Sequence, residues 1–206
     1  MVQKAPSRAR GRPRAYDPDV ALDSATAAFW RAGFSATSLD ALSDATGMNR
    51  PSLYGAFGDK QALYLATLAR YAAAGRAAMD DALAGERPLR VALKRVYDIA
   101  LKMYYPPGET ARGCFLIGTA AAESVNDAAV RAALRDGLRS FDAAFEARLR
   151  RARDSGELPA TADAALLARV ASALLHSLAL RSRAGDPRAE LAATAAAGIE
   201  LICGAS

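Results

Sequence analysis

Apolar positions recur along almost the whole chain at spacings of three and four, the period of helices packed on one side. Within 17–31, Val20, Ala21, Ser24, Ala25, Ala28 and Phe29 share a face; Gly33 stops that helix and Phe34 folds back toward the core. Residues 38–57, SLDALSDATGMNRPSLYGAF, read as two short helices joined by a glycine turn. Thr37 or Ser38 caps the first, with Asp40 in the first turn, where the helix dipole favours an acid. Leu39, Leu42 and Ala45 form its inner face. Gly47 supplies the left-handed residue of the turn, and Met48 plugs the turn into the core. Asn49 caps the second helix, whose first turn tolerates Pro51 and whose Leu53 and Phe57 point inward. Gly58 and Asp59 end it and cap a longer helix starting near Lys60.

Further helices are expected over about 60–83, 88–105, 112–123, 126–153, 161–184 and 187–203. Gly85, Pro106-Pro107-Gly108, Asn126, Gly156 with Pro159, and Gly185 with Pro187 punctuate them. The loop 106–112, PPGETAR, is a hinge between two of them. The expected fold is all-α, with about nine helices: an arm at 1–16, a three-helix helix-turn-helix unit at 17–62, and a larger helical unit for ligand binding and dimerisation at 63–206.

The second helix of the helix-turn-helix opens with an exposed polar set, Asn49, Arg50, Ser52 and Tyr54. Such a helix enters the DNA major groove by its N-terminal end. Arg50, Ser52 and the neighbouring backbone face outward toward base edges, and an Arg there suits the two acceptors of guanine.

Charge sharpens this picture. Of the 27 Lys and Arg, five lie in the first 16 residues, which hold no acid, and the other 22 match the 22 Asp and Glu. A body of near-zero charge therefore carries a cationic arm, a phosphate or groove ligand by electrostatics. The run Arg10-Gly11-Arg12-Pro13-Arg14 resembles the core of an AT-hook, whose arginines suit narrow A·T-rich minor grooves.

Other classes recede. There is no Gly-rich phosphate loop after a strand, no nucleophile elbow and one histidine, so no acid–base constellation and no enzyme is expected. Cys114 and Cys203 make no metal-type spacing; a reduced, cytoplasmic protein without metal or cofactor is expected. No run approaches the roughly 18 apolar residues of a membrane span, and the N-terminus lacks the apolar core of a secretory signal.

Phe29, Gly33-Phe34, Thr37-Ser38, Leu42, Ala45, Gly47, Pro51-Ser52-Leu53-Tyr54, Phe57, Lys60 and Leu63 together resemble the N-terminal domain of the TetR/AcrR transcriptional regulators. Arg12-Pro13-Arg14 leading into the first helix is also common there. The resemblance covers about residues 12–65 and is generic beyond 66. It implies an all-helical homodimer on a palindromic double-stranded operator, usually a repressor, released when a small molecule of unknown identity binds the C-terminal domain. It also implies that Tyr54 and Lys60 clamp phosphates, beside Thr37 or Ser38 donating from a helix N-terminus. The chain departs from the family at Gly55 and Ala56, where bulkier side chains are frequent. DNA contacts are thus expected from Arg12, Arg14, Thr37, Ser38, Asn49, Arg50, Pro51, Ser52, Tyr54 and Lys60.

In the larger unit, Tyr97, Met103, Tyr104, Cys114, Phe115, Phe141, Phe145 and His176 are candidates for a ligand cavity. His176 sits in the apolar run 173–178. Cys114 follows Arg112-Gly113 at an expected helix start, and a cation and a helix N-terminus both lower a thiol pKa. The segment 113–117 resembles that of family members sensing electrophiles or oxidants, so a thiol-based sensor at Cys114 is the alternative. Leu167, Val170, Leu174 and Leu178, then Leu191, Ala195, Ile199 and Ile202, form apolar stripes expected to make the dimer interface.

Overall fold

Helix starts follow the caps the sequence offers. In the computed structural model, which describes residues 16–204, α1 (Pro18–Ala36) begins with Asp17 accepting the Asp19 N–H at 2.9 Å and Pro18 at the first helical position. Its register breaks at Gly33, whose φ of 79° turns the last residues aside. Phe34 thereby packs on Phe29 and Tyr64, at centroid separations of 6.2 and 5.0 Å. The outer face of α1 differs from expectation: Val20 is 60% exposed, and burial begins at Ala21.

Ser38 caps α2 (Leu39–Thr46), and Gly47 closes it with φ 66°, ψ 15°. Met48 is buried in the turn. Ala45, expected on the inner face of α2, is exposed; Leu42 and half-buried Leu39 hold that face. Asn49 caps α3 (Arg50–Phe57) and Asp59 caps α4 (Lys60–Leu83). Then follow α5 (Leu89–Tyr104), a π-helical turn (Leu116–Ala120) running into α6 (Ala121–Glu123), α7 (Ala128–Asp154), α8 (Ala164–Ala184) and α9 (Arg188–Cys203).

The segment expected to be one helix over 112–123 is irregular through Cys114. Gly113, at φ +64°, lies where a β-carbon would stand 2.4 Å from the Ala179 carbonyl oxygen. Contact with α8 thus sets the backbone there. Thr119 donates to the Phe115 carbonyl at 2.9 Å and pairs with the Tyr64 hydroxyl at 2.7 Å, which fits a widened turn.

α4 is the central strut. It packs on α1, α5 and α7; α8 packs on α7, and α9 on α5 and α8. α2 and α3 lean on α1 and the start of α4. One core runs from Phe29 and Leu42 through Tyr64, Leu93 and Phe115 to Phe145 and Leu178, all of them buried. Arg148, 3% exposed, is compensated by Glu157 and the Arg87 carbonyl, each at 2.7 Å. α8, although Arg169 and His176 interrupt its apolar run, has an 18-residue window of mean hydropathy 1.3 and is long and apolar enough to cross a membrane by length and composition. In this fold 39% of that window is buried against the chain itself. The cationic arm, with Arg12 and Arg14, lies outside the described residues.

Candidate nucleic-acid interface and cavity

α3 has two unlike sides. Leu53 is buried and Phe57 half-buried, whereas Asn49, Arg50, Pro51, Ser52 and Gly55 are exposed and Tyr54 is 45% exposed. The Asn49 carboxamide oxygen accepts the Ser52 N–H at 2.9 Å, which leaves the carboxamide NH2 outward. The Arg50 guanidinium donates to Asp40 from Nε at 3.1 Å and Nη2 at 2.6 Å, in a pair whose side chains are 53% and 72% exposed. The bond to Asp40 raises the Arg50 pKa, and the group stays a cation. No atom lies within 4 Å of where a Gly55 side chain would start.

Around α3 stand three further candidates. Ser38 is exposed, and its hydroxyl oxygen accepts the Ala41 N–H at 3.1 Å, so its own O–H is free to donate. Thr37 is a correction. It is 2% exposed and its hydroxyl donates to the Gly33 carbonyl at 2.5 Å, so it cannot present that group to a phosphate. Lys60, in the first turn of α4, lies with Nζ 4.4 Å from the Phe34 ring centroid. Partial burial lowers its ammonium pKa, opposed by Glu123.

Behind this face, α1, α4, α5, α7 and α8 enclose a cavity of about 610 Å³. Met103, Tyr104, Cys114, Phe141 and His176 line it, as the sequence suggests. Tyr97, Phe115 and Phe145 do not, because all three fill core positions. Tyr97 donates to the Ala171 carbonyl at 3.2 Å and packs on Phe145 at 6.3 Å. Phe115, fully buried, is wedged among Trp30, Tyr64 and Tyr71 at 5.6–6.0 Å. Sequence reasoning missed Trp30, Tyr71 and Arg112, which also line the cavity. The Trp30 aromatic on the inner side of α1 was the available signal.

The Cys114 thiol accepts from the Tyr71 hydroxyl at 3.2 Å. Burial pushes its pKa up, against smaller opposing hydrogen bonds. The Arg112 guanidinium lies over Trp30, 4.1 Å from the ring centroid, and of the two readings of this thiol, sensor or buried inert group, the burial and the raised pKa fit the second. Cys114 and Cys203 are both free thiols. Among the described residues no group of three His, Cys, Asp or Glu could hold a metal ion.

On the last two helices several of the residues expected to pair need correction. Leu178 of α8 and Leu191, Ala195, Ile199 and Ile202 of α9 are at most 5% exposed within the single chain, the α9 residues because that helix packs on α5 and α8. Leu167 and Leu174 are half-buried, and Val170 is 47% exposed. The outward stripe of α8 runs instead through Leu166, Val170, Ala173 and Leu180, with Leu201 on α9, 80% exposed, as another bare apolar side chain.

Known proteins share this architecture. Residues 21–67 match the model of bacterial regulatory proteins, tetR family, and residues 91–197 that of the tetracyclin repressor-like C-terminal domain. The HTH-type transcriptional repressor ComR of Escherichia coli (strain K12) is 29% identical over 178 residues, 86% of this chain and 85% of ComR. The HTH-type transcriptional repressor BdcR of the same strain is 37% identical over 117 residues, 57% of this chain and 59% of BdcR. Among solved structures, a cysteine mutant of the TetR family transcriptional regulator CifR, complexed with 26-bp double-strand operator DNA, superposes with a TM-score of 0.79. It is 30% identical, with 92% of this chain and 98% of that one covered. Reduced NemR of E. coli, 23% identical over 89% of this chain and 94% of its own, has the same fold at a TM-score of 0.79.

Proposed function

This chain belongs to the TetR family of bacterial regulatory proteins and is a DNA-binding transcriptional regulator, and we propose that it is a repressor that grips a palindromic operator as a homodimer and lets go when a small molecule fills the cavity. The observation that carries the reading is the exposed N-terminal edge of α3, where Asn49, Arg50, Ser52 and Tyr54 stand clear of a buried Leu53. A helix anchored on one side and polar at its free N-terminal end is what a major groove admits. Arg50 is the reader. Its bond to Asp40 is solvent-exposed and therefore weak, so a guanine edge offering two acceptors can displace the carboxylate. Ser38, Tyr54 and Lys60 flank it as phosphate contacts, which set register and carry no sequence information. Arg12 and Arg14 extend the contact into the minor groove.

The outward apolar stripe of α8 and Leu201 support dimerisation, and steric occlusion of a promoter needs no further surface. Two-fold symmetry would set the recognition helices about 34–36 Å apart, one turn of DNA. The regulator works where the chromosome is, in the cytoplasm. Release follows from geometry: Asp23, Thr26, Ala27 and Trp30 of α1, the helix that carries α2 and α3, form one wall of the cavity. A molecule filling it presses on the DNA-binding end directly. A thiol-sensing alternative rests on Cys114 being part of the lining, but the raised thiol is protonated near neutrality and a weak nucleophile.

The decisive experiment is selection from a random DNA pool with the full chain at fixed, near-physiological salt, since phosphate-driven affinity varies steeply with salt. A palindrome is expected. Recovery of no motif, or of A·T-rich DNA alone, would overturn the roles given to Arg50 and Ser52.

A further inference from the structure

The cavity wall is apolar over most of its extent, with Trp30, Met79, Val96, Met103, Phe141 and Leu175 among its members. Its polar groups divide into two kinds. Those already engaged are Arg70, held by Asp19 at 2.7 Å and Asp23 at 2.9 Å, and Thr26, whose hydroxyl donates to the Leu22 carbonyl at 2.7 Å. The Tyr71 hydroxyl likewise rests on the Cys114 and Met103 sulfurs, at 3.2 and 3.6 Å. Two are not engaged. The Nε2 of His176 is buried with no hydrogen-bond partner. The Tyr104 hydroxyl makes no hydrogen bond among the described residues. A buried polar group left without a partner is costly, and the exceptions mark places where something else supplies the bond.

We propose that the cavity takes an uncharged, largely apolar small molecule, flat enough to lie against Trp30 and Phe141, carrying one hydrogen-bonding group that meets His176 and Tyr104. This rests on the reading of the cavity as the effector site and names the class of its ligand. The volume of about 610 Å³ falls within the range of ordinary small-molecule sites. Lack of charge follows from the wall. The Arg70 cation is neutralised by two carboxylates, and burial holds the His176 imidazole toward its neutral form, with Asp142 opposing. A charged ligand would lose its hydration for little return. The other cation on the cavity wall, Arg112, is in none of the ion pairs among the described residues, and it is stacked on Trp30 with its Nε–H given to the Met103 carbonyl. The imidazole needs only rotation about its soft second torsion to turn a nitrogen to the ligand. A hydroxyl serves both partners, donating to one and accepting from the other.

The test uses three probes with one ring system: 2-naphthol, naphthalene and 2-naphthoate. Each competes with the fluorescent, uncharged N-phenyl-1-naphthylamine on the full chain. Trp30 is the only tryptophan, so energy transfer from it reports binding, and the effect of changes at Tyr104 and His176, which line this cavity and not the neighbouring groove, places the reporter. Expected is 2-naphthol binding on the order of tenfold more tightly than naphthalene, one added hydrogen bond, with 2-naphthoate the weakest. Tyr104→Phe, which keeps the ring and the packing, should narrow that gap, and the double variant His176→Leu/Tyr104→Phe should close it while naphthalene still binds. Tightest binding of 2-naphthoate would overturn the proposal and make Arg112 a counter-ion for an anionic ligand. Equal binding of naphthol and naphthalene, or no binding of any probe, would overturn it too. Operator binding is measured separately without probe; its loss would count against the regulator reading and leave the ligand class as found.

Discussion

Trp30 and Arg112 hold each other twice. The indole N–H donates to the Arg112 carbonyl at 3.2 Å, and the Arg112 guanidinium lies over the same indole, 4.1 Å from the ring centroid. Arg183 of α8 ties the pair down, donating to the Arg112 and Trp30 carbonyls at 3.3 and 3.4 Å. Three segments meet there: α1, the stretch before the π-helical turn, and α8. The pair is also a partition, since both residues line the main cavity and a neighbouring groove of about 730 Å³. Any movement of the partition reaches α1, and through it α2 and α3.

Arg112→Ala tests that partition. The carbonyl bond survives, being made by the backbone, but the cation over the indole is lost. A contact of this kind contributes about 0.5–1 kcal/mol at an exposed site. Because Trp30 is the only tryptophan, its emission should shift to the red and its quenching by acrylamide should rise. Unchanged emission and quenching would mean that the guanidinium does not cover the ring in solution.

Gly113→Ala should be among the most damaging single substitutions. The residue sits at φ +64°, and a β-carbon would stand 2.4 Å from backbone oxygen of Ala179, which has no rotamer to retreat into. Strain of this kind costs about 1–3 kcal/mol before the clash is counted. The control is Gly55→Ala, in the middle of α3 with no atom within 4 Å, where the change should stabilise by about 0.5–1 kcal/mol. Urea midpoints of the two variants should therefore move in opposite directions; a midpoint of Gly113→Ala that does not fall would refute the close approach of 113 to α8.

Arg50 and Lys60 make separable predictions on DNA. Arg50→Ala should lower affinity for the selected operator by about 1–3 kcal/mol and relax preference at one base position. Thermal stability should barely change, because the partner Asp40 is 72% exposed. Lys60→Ala should weaken binding to all sequences alike and reduce the slope of affinity against salt by about one. Equal sequence preference in Arg50→Ala and the parent would sink the reading of α3.

The comparison of sequence with structure divides by range of interaction. Ser38, Asn49 and Asp59 were legible as caps because a cap is a local bond between a side chain and an N–H two or three residues on. Thr37 and Ser38 offer the same hydroxyl, and only the packing of the Gly33 turn decides that Thr37 faces inward. On α9 the sequence has little contrast to read: Ala192, Ala193, Ala196 and Ala197 flank Ala195, so composition alone does not reveal which side meets α5. The cavity was half legible. Tyr104, Cys114 and His176 were found by type, whereas Trp30 and Tyr71 reach it from helices distant in sequence. The irregular run before the π-helical turn is set by contact of Gly113 with Ala179 of α8, distant in sequence, and no local propensity encodes it.

His176 gives a pH dependence with a definite sign. Burial lowers its pKa below the ordinary 6.5, against the opposing pull of Asp142. The unfolded chain therefore takes up a proton at a higher pH than the native chain does. Stability contributed by keeping the imidazole neutral is fully present above about pH 6.5 and is lost as pH falls from there toward the native value. The loss cannot exceed about 1.4 kcal/mol per pH unit for one group. Other acids titrate nearby, so the informative quantity is the difference between the parent and His176→Gln, in which they cancel. That difference, from urea midpoints at about pH 7.5 and about pH 5.5, should move in favour of the variant at the lower pH. A constant difference across this window would mean that the imidazole takes up its proton equally in both states and that its environment is wetter than the fold implies.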